Sequence, residues 1–284
     1  MALPTIADAA PSHGIARWYY RHSLAVRIAH WINFVCLATL LMSGLNIFNA
    51  HPALYWGRES YRGTPILQLS AKDTPAGPMG VTTVFGYTFD TTGVLGVSRG
   101  ADGEPAEQGF PSWATIPDSQ GLAMARYWHF FFAWLLVFNG IFYLLHSIAS
   151  RHLARDLAPT KTELRGIGRS LVEHLKFQHP KDEAAKRYNV LQKLAYLVVI
   201  FGLLPLVIVM GWAMSPWLDS VLPGWVDIVG GRQSARTLHF LAAFGLLLFF
   251  LVHIFEVLIS GAVNQVRSMI TGRYKVESDD EKYG

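Results

Sequence analysis

The stretch "RTLHFLAAFGLLLFFLVHIFEVLI", residues 236–259, is almost wholly apolar yet holds two histidines, His239 and His253. It is long enough to cross a hydrocarbon core of about 30 Å at about 1.5 Å per residue. An imidazole in such a segment is costly to bury and is a functional candidate by default. The two histidines are 14 positions apart. At about 100° per residue they return to within roughly 40° of one face, about 21 Å apart along the axis. One helix thus offers two imidazoles on one side, at two depths.

Three further apolar runs, about 24–48, 127–149 and 191–215, have similar length, and the chain of 284 residues is 51% hydrophobic and only 15% charged. Inside lipid each backbone amide must be paired within its own segment, so helices are expected. The predicted fold is an all-α membrane protein, a four-transmembrane-helix bundle with a long periplasmic loop between helices 1 and 2. Gly202 and Pro205 in the third run are tolerable in a membrane helix and mark a place to kink. The first 22 residues carry no apolar core of their own, so no cleavable signal peptide is expected. With Cys36 the single cysteine, an intrachain disulfide, a cysteine metal cluster and covalent c-type haem attachment are all excluded.

Charge sets the expected orientation. The connection 151–187 carries nine Lys or Arg against five acids, and the connection 49–123 four against seven. The positive-inside bias places the first in the cytoplasm with both termini, where Arg17, Arg21, Arg267, Arg273 and Lys275 agree. The expected division is a cytoplasmic segment 1–22, a span 23–48, a periplasmic loop 49–123, a span 124–149 and a cytoplasmic loop 150–189. A span 190–215, a periplasmic loop 216–235, a span 236–262 and a cytoplasmic tail 263–284 complete it. The basic loop is a topology signal, so the net charge of +4 gives no reason to expect nucleic acid.

Neutral imidazole is a standard axial ligand of haem iron, and two haems stacked along a shared helix need the His239/His253 arrangement. Each haem then needs a second histidine at matching depth. His129 lies at the outer start of its span and matches His239, while His30 lies at the inner start of the first and matches His253. Arg27, Arg126 and Arg236 each stand three residues before His30, His129 and His239, one turn nearer the surface. There a guanidinium can pair with a haem propionate, or simply anchor a helix end. His146, about 100° off the face of His129, is an alternative inner ligand or a neighbour of a substrate site.

The segments "RHSLAVRIAHWINFVCLATLLMSGLNIF", "RYWHFFFAWLLVFNGIFYLLH", "RYNVLQKLAYL" and "GGRQSARTLHFLAAF…FLVHIFEV" resemble the bacterial cytochrome b561 superfamily. The nearer likeness is to thiosulfate reductase cytochrome b subunits and the gamma subunits of formate dehydrogenase and nickel-iron hydrogenase. The likeness covers all four spans, and the two-histidine fourth helix is its most specific part. It implies two non-covalent b-type haems and electron exchange with a membrane quinone near the inner haem. It also implies a periplasmic redox partner, commonly a molybdopterin enzyme. A Tyr-Asn-x-x-Gln-Lys stretch opens the third helix beside the quinone in the formate dehydrogenase relatives. Here it reads Tyr188, Asn189, Gln192 and Lys193, so the resemblance implies a quinone role for Asn189 and Gln192. Asparagine is equally a good helix cap. Glu256, one turn after His253, is either a proton relay to that site or a plain interfacial carboxylate.

The function expected is that of an electron-transfer subunit in the bacterial inner membrane, with substrate catalysis in the partner. Two alternatives stand beside it: a stand-alone superoxide:quinone oxidoreductase of the b561 type, and a haem-free transporter that uses its histidines as proton relays. A loop as long as 49–123 without structure of its own is expected to bind something, to form a lid or to cap the outer haem.

Overall fold

The computed structural model describes residues 17–61, 63–118, 120–175 and 189–276. Tyr188, together with residues 1–16, 176–187 and 277–284 of the expected cytoplasmic segments, lies outside the described residues.

The chain opens on β1 (Arg17–Tyr20) and enters α1 (Leu24–Asn49) through Ser23, whose hydroxyl accepts from the Val26 N–H. Six strands follow: β2 (Ala53–Leu54), β3 (Leu67–Thr74), β4 (Gly77–Val84), β5 (Tyr87–Asp90), β6 (Gly96–Arg99) and β7 (Pro105–Gln108). Then come α2 (Leu122–Ala149), the short α3 (Lys161–Arg165) and α4 (Ile167–Leu175). The third span is α5 (Val190–Val198), a π-helical turn Val199–Leu203, and α6 (Leu204–Ala213). After α7 (Pro216–Val221) the fourth span is α8 (Arg232–Ile259), then α9 (Ala262–Thr271) and β8 (Arg273–Val276). Pro205 has no N–H to donate, and the widened turn just before it absorbs the break, so the kink expected at Gly202 and Pro205 takes the form of a π-turn.

Four helices, Leu24–Asn49, Leu122–Ala149, Val190–Ala213 and Arg232–Ile259, are long and apolar enough to cross a membrane. They differ from the expected spans by a few residues at their ends. Side chains such as Phe131, Phe138, Leu248 and Leu251 stay more than half exposed on the bundle surface, which suits a lipid solvent. Polar groups face inward. Asn139, 5% exposed, donates to the Ala29 carbonyl at 2.9 Å and to Asn33 Oδ1 at 2.7 Å, joining α2 to α1. Such interhelical bonds contribute about 1 kcal/mol each in a membrane.

The expectation of an all-α protein is corrected by the strands. The connection after α1 folds into an antiparallel sheet of order β2-β3-β4-β5, with β6 and β7 as a second pair. The physical reason is turn chemistry within the Gly/Pro/Thr-rich stretch. Phe85 and Gly86, both at positive φ, close β4 onto β5 with Val84 opposite Tyr87, the two-residue hairpin that matches strand twist. Thr74 and Gly77 close β3 onto β4 around Pro75 and Ala76. The second pair crosses the first so closely that a Cβ on Gly80 or Gly96 would fall 2.3 Å from a backbone oxygen.

This sheet sits on one end of the bundle, called here the sheet end. Phe48 of α1, Leu54 and Leu69 form a core with Phe110 and Phe240 of α8. The segment after α1 is bonded to the first turns of α8. The Gly57 carbonyl accepts from the N–H groups of Gln233 and Ser234 at 3.0 and 3.1 Å, and Thr237 donates to the Tyr55 carbonyl at 2.7 Å. Those N–H groups have no partner within the helix, so the loop caps it. At the opposite end, the clasp end, β1 pairs antiparallel with β8, Tyr20 opposite Arg273, and ties the start of α1 to α9.

Candidate functional site

The four helices bring four imidazoles together as two pairs. At the sheet end, the His129 ring of α2 lies 6.1 Å from the His239 ring of α8, centroid to centroid, with 60° between planes. At the clasp end, the His30 ring of α1 lies 6.3 Å from the His253 ring of α8, also at 60°. α8 carries one member of each pair, about 21 Å apart along its axis.

The sheet-end pair has fixed tautomers. His239 Nδ1 is 2.7 Å from the Val207 carbonyl, which can only accept, so that nitrogen carries the proton. His129 Nδ1 is 3.1 Å from Ser43 Oγ. Ser43 commits its hydroxyl proton to the Thr39 carbonyl at 2.7 Å, so toward His129 it can only accept. Both rings therefore keep an Nε2 lone pair. A metal ion bound by two imidazoles at about 2 Å from each nitrogen, with each nitrogen about 1 Å from its ring centre, sets the centroids roughly 6 Å apart. The separations of 6.1 and 6.3 Å fit an iron between the rings of each pair, and at the sheet end the free Nε2 lone pairs fit it as well.

Two glycines make room for the sheet-end rings. A Cβ on Gly44 of α1 would stand 3.3 Å from His129 Cε1, and one on Gly211 of α6 would stand 3.3 Å from His239 Cε1. Ser43, Gly44, Gly211 and the Val207 carbonyl escape a reading that searches for ligands. The signal that could have exposed them is depth: Gly44 and Gly211 lie near the ends of their helices at the level of His129 and His239.

The clasp-end pair is set differently. The His253 ring stacks on Phe249, 5.9 Å away at 13°. His30 meets Trp31 edge-on at 5.3 Å, and its Nδ1 is buried without a hydrogen-bond partner among the described residues. His146 is not brought to this pair. Its Nε2 lies 3.3 Å from Ser23 Oγ and its ring stacks on Phe142.

The arginines already have protein contacts. Arg27 donates to the Ile270 carbonyl of α9, while its Nε is buried and without a partner among the described residues. Arg236 donates to the His51 carbonyl and lies 5.3 Å over the Phe48 ring. Arg126 lies 5.6 Å over Phe130. A guanidinium has five N–H donors, so one carbonyl leaves capacity for an anion. Outside the spans, His51 stacks on Tyr55 and its Nδ1 meets the Tyr61 hydroxyl at 2.9 Å. Burial, aided by the Arg236 charge, holds its imidazole below the ordinary histidine range.

Asn189 and Gln192 form a capping box at the start of α5. The Asn189 side chain accepts from the Leu191 N–H and Gln192 Oε1 accepts from the Asn189 N–H, both at 3.3 Å. Beside them, buried Lys193 donates to both oxygens of Glu163 at 2.9 and 3.1 Å. The Thr160 N–H, then Lys193, hold the Glu163 carboxyl below the usual carboxylate range. Glu256 lies near enough to His253 to interact with it electrostatically.

Comparison with known proteins agrees in kind. The family profile described as prokaryotic cytochrome b561 matches residues 21–272. A chain of Azospira oryzae named as a putative protein-methionine-sulfoxide reductase subunit, YedZ1, is 25% identical over 236 residues, covering 83% of this chain and 89% of that one.

Gly44→Ala tests the fit at the sheet end. The added methyl forces the His129 ring to give by a few tenths of an ångström. The expected outcome is a shifted or depleted haem α-band in the optical spectrum. A wild-type spectrum in the variant would show that the ring has slack, contrary to this geometry.

Proposed function

The chain belongs to the prokaryotic cytochrome b561 family, and from that premise we propose that it is a di-haem wire joining a periplasmic redox partner to the quinone pool. As a member it is a multi-pass bacterial membrane protein that binds b-type haem and transfers electrons. In the proposed assignment His129 and His239 hold one haem near the periplasmic face, and His30 and His253 hold the other near the cytoplasmic face. The observation that carries this reading is the pair of imidazole contacts at the two ends of α8. Haem bound at such a site supplies a one-electron carrier whose potential is set by its axial ligands and their surroundings.

The chain's own residues do the rest. α8 fixes the two axial rings at a set spacing, and Val207, Ala242 and Leu246 with Leu37, Leu203 and Ile208 fill the space around its middle. That apolar filling keeps water out between the two sites. Arg27 and Arg236 retain N–H groups for propionates, and Arg126 reaches the surface beside His129. The sheet end is assigned to the periplasm because the connection 151–187, which leaves α2 at its clasp-end terminus, carries the excess of Lys and Arg.

A partner at the sheet end is supported by two observations. Trp56, Tyr61 and Trp113 are 60%, 78% and 79% exposed there, on segments outside the spans, and interfaces favour such aromatics. The Azospira relative is named as a subunit. A reductase or dehydrogenase, of the molybdopterin class that the resemblance implies, is the partner proposed. At the clasp end Asn189 is assigned to a quinone carbonyl, a role it would share with its cap.

His239→Ala and His253→Ala test the assignment. Each is expected to remove one of two components in an optical redox titration, and not the same one. Loss of both in either variant, or of a component in His146→Ala but not in His30→Ala, contradicts it.

Asn189→Ser separates the two roles of that residue. Serine keeps the cap but withdraws the amide donor, a bond of about 1 kcal/mol net. Haem reduction by a soluble quinol is expected to slow several-fold with both haem bands and thermal stability retained. Unchanged quinol kinetics would leave Asn189 as a cap and move the quinone elsewhere.

A further inference from the structure

The clasp end carries a groove between the first turns of α1 and the end of α9, with a volume of about 310 Å³. Leu24, Ile28 and Trp31 of α1 and Ile270 of α9 line it and are all exposed, so its walls continue the apolar surface of the spans. Two bonds join the helices across it. Arg27 donates to the Ile270 carbonyl, and Trp31 Nε1 donates to the Met269 carbonyl at 3.1 Å.

The groove has one charge in its lining. Arg27 is tied to α9 through a carbonyl, and among the described residues it forms no ion pair. A guanidinium has five N–H donors, and the Ile270 carbonyl takes one. Its Nε is buried, so an anion arriving from the groove falls to the Nη groups. A cation without a counter-ion at the edge of hydrocarbon is costly, and the guanidinium fork matches the oxygens of a phosphate.

The surroundings favour an anion too. Residues 17–31 and 260–276 hold Arg17, Arg21, Arg27, Arg267, Arg273 and Lys275 and no acid. The next acid along the chain, Glu277, lies outside the described residues. α9 has the form of an interfacial helix. Val263, Val266 and Ile270, three and four positions apart on one face, are exposed, while Ser268 is buried on another. Arg267 lies 5.7 Å over the exposed Trp18 ring, so a cation and an indole stand together beside that face.

We propose that this groove binds one anionic phospholipid from the leaflet at the clasp end. Its phosphate sits on Arg27 and an acyl chain runs along Leu24, Ile28 and Trp31. The apolar walls take any acyl chain. The choice of headgroup comes from Arg27 and the cations around it, because a zwitterionic headgroup brings a cation of its own. The proposal does not rest on the haem assignment.

The test is native mass spectrometry of the purified full chain in detergent, titrated with phosphatidylglycerol or with phosphatidylcholine of the same acyl chains. Phosphatidylglycerol is expected to bind more tightly, at one site per chain. Arg27→Gln is expected to weaken that site about fivefold. Arg58→Gln, which removes the same charge at the sheet end, is expected to leave it in place. Ile28→Trp fills the groove, keeps Arg27 and is expected to weaken both lipids, and it decides the matter where Arg27→Gln does not fold. Equal binding of the two lipids, or a phosphatidylglycerol site that either groove variant leaves unmoved, overturns the proposal. Displacement of the bound lipid by a soluble quinone overturns it as well and makes the groove a quinone site.

Discussion

An imidazole buried at membrane depth needs partners for its nitrogens, and much of the sheet end of this structure follows from that demand. Lipid supplies no partner, and an unpaired polar group there costs several kcal/mol. At the sheet end one nitrogen of each ring is satisfied by protein, by Ser43 and the Leu40 carbonyl for His129 and by the Val207 carbonyl for His239. The two ring centroids stand 6.1 Å apart, a separation that suits a single metal atom between them. The same gap recurs at the clasp end.

That demand explains which helices touch and where. α8 contributes to both pairs, α2 and α1 to one each, and α5–α6 supplies the backbone carbonyl behind His239. A carbonyl oxygen has two lone pairs, so the Val207 carbonyl can accept from His239 while it remains part of its helix. The sheet serves the same end from outside. Its leading segment caps α8 through Gly57, Tyr55 and the His51 carbonyl, and so fixes the height at which Arg236 and His239 stand.

Much of this is legible in the amino-acid sequence. Apolar length marks the four helices, and the spacing of His239 and His253, with the depths of His30 and His129, indicates which rings meet. Three features are not legible there, each for a physical reason. The strands hide in a Gly/Pro/Thr-rich stretch because their alternation is interrupted by the glycines that let β6–β7 cross the main sheet at Gly80 and Gly96. The groups behind the rings stay hidden because a backbone carbonyl has no signature in sequence, and a serine or glycine in a span has many uses. Asn189 is legible only as an ambiguity: the same amide that would suit a quinone is engaged as a helix cap.

In the proposed assignment each imidazole pair holds one non-covalent haem. The most direct measurement is haem content per chain of the purified protein, before and after acid-acetone extraction. Two haems per polypeptide are expected, both recovered in the organic phase and none left on the protein. A ratio of one, or haem that remains with the chain, would contradict it.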